Sequence, residues 1–86
     1  MKKAFSVYDS KAGFYMAPFF FQSTAEGIRA FFDAANDPQT AISKHPEDYT
    51  LFELGAFDDQ TGVFTQHEVI IPLGCAAEFV VRGQAN

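Results

Sequence analysis

Ser23-Thr24-Ala25-Glu26-Gly27-Ile28-Arg29-Ala30-Phe31-Phe32-Asp33-Ala34-Ala35-Asn36-Asp37-Pro38 is the stretch that decides the fold. Ser23 and Glu26 have the spacing of a capping box, in which the serine hydroxyl accepts from the Glu26 N–H and the glutamate side chain reaches back. Ile28, Phe31, Phe32 and Ala35 fall at i, i+3, i+4 and i+7, which predicts one apolar helical stripe. Glu26, Arg29, Asp33 and Asp37 take the opposite, solvated face. Pro38 disfavours helical geometry at Asp37, so the helix is expected to end near Asn36.

Working outward, Lys3 to Asp9 reads as a strand with Phe5 and Val7 on one face and Ala4, Ser6 and Tyr8 on the other. Asp9-Ser10-Lys11-Ala12-Gly13 is a turn. Phe14 to Phe21 follows as a strand that Pro18 confines to an edge or a bulge. Gln39 to Asp48 reads as a loop with one helical turn at Thr40–Ser43. Tyr49 to Phe57 is a strand with Tyr49, Leu51 and Phe57 set against Phe52, Leu54 and Ala56. Asp58 to Gly62 is a hairpin loop, with Gly62 suited to a left-handed position. Val63 to Ile71 returns, Pro72 and Gly74 stop it, and Cys75 to Val81 forms a short terminal helix or strand.

The expected fold class is α+β: a ββαββ order, a four-stranded antiparallel sheet with one helix on one face, and an ambiguous C-terminal element. Residues 1–81 make one domain, with 82–86 a loose tail. The chain has eleven Phe and three Tyr in 86 residues, and the helix holds only two of them. One helix cannot cover both faces of such a sheet. The second face therefore packs against another subunit, is covered by the 38–48 loop and C-terminal segment, or offers rings to a ligand. A homo-oligomer, most simply a dimer, is the expected assembly.

Signals for catalysis are weak. His45 and His67 are the only histidines and lie on different elements, so no zinc constellation forms, and no metal or other cofactor is expected. Asp58-Asp59 lacks the calcium-loop pattern. Glu53 reads as an edge or sheet-surface residue, His67 as a solvent-facing or neighbour-capping one, and Cys75 as a small buried hydrophobe. No nucleophile elbow, phosphate loop or dinucleotide fingerprint is present, and an enzyme is not expected. One unpaired cysteine suits a reducing cytosol. The lysine pair at the start has no long apolar run behind it, so neither a leader nor a membrane span is expected.

Charge is unevenly spread. The formal net charge is −5, yet Lys2, Lys3 and Lys11 against Asp9 give residues 1–21 a balance of +2, and residues 22–86 carry −7. The positive stretch coincides with interleaved aromatics. Cations that follow phosphates and rings that stack on bases are the parts of a single-strand binder, so Lys2, Lys3, Tyr8, Lys11 and Tyr15 are the candidate nucleic-acid residues.

Several segments, taken in order, carry a resemblance: Tyr8-Asp9-Ser10-Lys11-Ala12, Pro18-Phe19-Phe20, Ile28-Arg29-Ala30-Phe31, Asn36-Asp37-Pro38, Lys44-His45-Pro46-Glu47-Asp48-Tyr49 and Leu51-Phe52-Glu53-Leu54-Gly55. Across about residues 5 to 79 the chain resembles the small nonstructural protein of gokushovirus-type microviruses, tailless phages with circular single-stranded DNA. The resemblance implies a DNA-binding or replication-associated protein of the host bacterial cytoplasm. It would act at the switch from double-stranded replication to single-strand synthesis and packaging, and be absent from the mature virion. An acidic chain lacks the counterion-releasing charge that drives most such binding. The alternative is a homo-oligomeric accessory protein that binds a phage or host replication protein without touching DNA.

Overall fold

The capping box forms as the spacing predicts. In the computed structural model, which describes residues 1–81, Ser23 Oγ accepts from the Glu26 N–H at 3.2 Å, and Glu26 Oε1 accepts from the Ser23 and Gln22 N–H groups at 3.2 and 2.9 Å. Helix α1 then runs Thr24–Ala35 and ends on Asn36. A short helix α2, Ala41–Lys44, follows, capped by the Thr40 hydroxyl, and a 3-10 turn at Pro46–Asp48 leads back to the sheet.

The strands are β1 Lys2–Asp9, β2 Phe14–Tyr15, β3 Phe19–Phe21, β4 Tyr49–Phe57 and β5 Phe64–Cys75. All pairings are antiparallel, in the order β2-β1-β4-β5, with β3 beside β2 on the outer edge of β1. The α+β class with a main helix on an antiparallel sheet is as the sequence implies. What was expected as one strand, Phe14 to Phe21, is two. Pro18 cannot donate to the ladder, and Met16-Ala17-Pro18 leaves strand geometry between them.

Two further expectations are corrected. The last strand does not stop at Ile71 but passes through Pro72 to Cys75, which is allowed because β5 is an edge. After it comes a 3-10 turn at Ala76–Glu78. Within β4 the register jumps, pairing Ala4 with Gly55 but Phe5 with Glu53, so Leu54 is an extra residue. That bulge turns Phe57 to the same face as Phe52, against the simple alternation. The expected tail at 82–86 lies outside the described residues.

The helix face of the sheet is the core. Phe5 and Leu51 are fully buried there, Val7 nearly so, and the Phe5 ring lies 5.7 Å from Phe19 and 6.3 Å from Phe21. The helix meets them along Gly27, Phe31 and Ala35. Phe31 is 2% exposed, whereas Phe32, expected in the stripe, is 38% exposed. The cause is Gly27: a Cβ there would stand 2.5 Å from the Phe5 ring. The helix rests on β1 at its smallest residue, and that contact rotates Phe32 off the centre of the interface. The C-terminal segment completes the cover, with Phe79 edge-on to Phe31 at 5.8 Å. Asn36 ties it down, donating to the Phe79 carbonyl at 3.0 Å and accepting from the Val81 N–H at 2.8 Å.

Candidate nucleic-acid interface

Strand register sorts the other face into rows, because directly paired residues share a side of the sheet. One row is Lys2, Phe57 and Phe64; the next is Phe20, Ala4, Gly55 and Gln66. Then come Ser6, Phe52 and Pro72, and finally Tyr15, Tyr8 and Thr50. The main helix lies on the opposite side. Two ring clusters form at the ends of this open face. Tyr15 sits 4.7 Å from Tyr8 and 5.6 Å from Phe52, while Phe20 and Phe57 are 5.9 Å apart. Tyr15, Phe20 and Phe64 remain 46%, 44% and 43% exposed.

The five residues singled out by sequence do not form one patch. Tyr8 and Tyr15 are together, as neighbours on paired strands. Lys2 shares their face but stands about 20 Å away along β1. Lys11 lies in the turn beyond Asp9, where Asp9 Oδ1 accepts from the Lys11 and Ala12 N–H groups. It borders a shallow cleft shared with Asp9, His45, Asp48 and Tyr49. There burial, then the charges of Asp9 and Asp48, hold the Tyr49 hydroxyl above its ordinary pKa.

Lys3 points the other way. Its Nζ is 4.0 Å from Glu53 Oε2 on the helix face. Glu53 is 4% exposed on a central strand, which corrects its reading as an edge or surface residue. The Thr24 hydroxyl donates to Glu53 Oε1 at 2.5 Å, and His67 Nε2 lies 2.7 Å from Oε2. Burial pushes the Glu53 pKa up, but the hydrogen bonds from Thr24 and His67 and the charge of Lys3 outweigh it, and the pKa falls below the ordinary carboxylate value. His67 caps a neighbour, one of its two expected roles. It reaches Glu53 because residues 67–70 of β5 bulge opposite Leu54, between the Gly55–Gln66 and Glu53–Ile71 pairs.

Sequence reasoning missed Phe20, Phe52, Phe57 and Phe64 as members of the candidate surface. The signal lay in register across three strands, which spacing along one strand does not carry. Cys75 is half-buried rather than buried, and its thiol donates to the Pro46 carbonyl at 3.3 Å. Among the described residues no three metal-ligating side chains cluster, and no helix is long and apolar enough to cross a membrane. No curated protein and no solved structure matches the chain. The family model described as Phage ORF5 protein matches residues 2–79, nearly the full length, and the chain belongs to that family.

Proposed function

We propose that this phage protein is a non-catalytic single-stranded DNA binder of gokushovirus-type microviruses, using the open face of its sheet. It would work in the host bacterial cytoplasm, assisting the switch from double-stranded replication to single-strand synthesis and packaging. The observation that carries the reading is the pair of aromatic clusters, Tyr8–Tyr15–Phe52 and Phe20–Phe57, on a sheet face away from the main helix. Sheets that present rings in this way stack on unpaired bases. Stacking is worth roughly 1–3 kcal/mol per base and does not depend on net charge, which answers the −5 of this chain. Lys2 and Lys11, at opposite ends of β1, supply the phosphate contacts.

The test is fluorescence anisotropy with a labelled oligonucleotide at two salt concentrations, comparing the parent with the Lys2→Glu, Lys11→Glu double variant. Weak, salt-sensitive binding that the double variant loses is the expected result. Absence of binding by the parent at low salt eliminates direct DNA contact.

A second reading has its own observation. In the paired rows of the open face Lys2 is the one charged residue, so the surface also suits a second copy of the chain. That dimer would be the accessory protein, holding a phage or host replication protein without touching DNA. Light scattering behind size exclusion separates the two, since this reading requires a dimer mass that oligonucleotide does not alter.

A further inference from the structure

The paired rows of the open face are mostly rings and small residues, and stacking on a ring does not tell one base from another. Among the polar residues there, Lys2, Ser6, Thr50, the tyrosine hydroxyls and Gln66, only Gln66 carries a carboxamide. It pairs with Gly55 in the row beside Phe57 and Phe64, and its side chain is exposed. Phe64 lies two residues away on the same strand and face, about 7 Å along β5, and is 43% exposed. A base stacked on the Phe64 ring would therefore turn an edge towards the Gln66 amide.

We infer that Gln66 gives the sheet a base preference, by hydrogen bonding to the edge of a base held on Phe64. The inference rests on the single-strand reading above. The chemistry selects adenine. A carboxamide presents one acceptor and one donor side by side, which match an amino group next to a ring nitrogen. Adenine offers that pair on both its Watson–Crick edge and its Hoogsteen edge, so it is met in either orientation of the strand. Thymine, cytosine and guanine offer a donor–acceptor pair on the Watson–Crick edge alone, since the Hoogsteen edge of guanine presents two acceptors, O6 and N7. Lys2 completes the row, with Phe57 between it and Phe64, and is placed for the phosphate of the same nucleotide.

Homopolymeric dA, dC and dT oligonucleotides, titrated against the parent, Gln66→Ala and Gln66→Glu, test this directly. The parent is expected to hold dA roughly 5- to 10-fold more tightly than dT, the low end of what one good pairing contributes at an exposed site. Gln66→Ala is expected to hold dA only as well as the parent holds dT. Gln66→Glu, which keeps the size but cannot donate, is expected to lose the preference as well. Equal parent affinity for all three strands, or a preference that survives Gln66→Ala, overturns the role of Gln66 while leaving single-strand binding in place. A parent that binds none of the three overturns both.

Discussion

The two faces of the sheet use the same residue type for different ends. On the helix side Phe5 stacks on Phe19, Phe19 meets Phe21 edge to face and Phe31 meets Phe79 in the same way, and Phe5 and Phe31 are almost fully buried. On the open side the tyrosine and phenylalanine rings touch one another in clusters, yet nearly half of Tyr15, Phe20 and Phe64 is left to solvent. The same aromatic payload stabilises the chain on one side and stays available on the other. Burial of a ring contributes stability only where a second layer excludes water from it. Phenylalanine content alone therefore says little about function until each ring has been assigned to a face.

Truncating one ring on each side separates the two roles. Phe31→Ala should cost about 3–5 kcal/mol in urea denaturation, and Phe20→Ala less than ~1 kcal/mol. Similar costs would mean that the open face is part of the core. Gly27→Ala probes the closeness of helix and sheet. The added methyl meets the Phe5 ring, so a net loss of about 1–2 kcal/mol is expected, although alanine favours helices by nearly 1. A gain in stability would show that α1 can lift from β1.

The polar seam of the closed face gives a pH test. Glu53 has its pKa lowered in the folded chain, so its stabilising effect is present above the unfolded carboxylate range, about 4.3, and is lost as pH falls through the lower folded value. Glu53→Gln should cost about 1–2 kcal/mol near neutral pH, and the gap to the parent should close in acid below about pH 4. A gap that stays constant with pH would mean that the carboxylate charge contributes nothing. The smallest expected effect is on the open side. With Lys3 held by Glu53, two lysines remain to meet phosphate, and the log–log salt slope for single-stranded DNA should be about −1.4. A slope near −2 would bring Lys3 back into the interface.

How much of this was legible beforehand follows from the range of each signal. The capping box, the helix span and the left-handed Gly62 are local, and spacing alone reveals them. Which helical stripe docks is not local. Phe31 and Phe32 are equivalent in periodicity, and only the contact of Gly27 with a distant Phe5 chooses between them. The Leu54 bulge is equally silent in sequence, and it alone moves Phe57 to the open face. Glu53 looked like a surface residue because its three partners, Thr24, Lys3 and His67, come from three other elements. Tyr8 and Tyr15 were found because a short turn brings them opposite each other.

Aromatic-ring NMR during titration with a single-stranded oligonucleotide tests the division of the sheet most directly. Saturable shifts are expected for Tyr8, Tyr15, Phe20, Phe57 and Phe64, with the signals of Phe5 and Phe31 unmoved. Shifts confined to the closed face, or no shifts at any ring at low salt, would contradict that division.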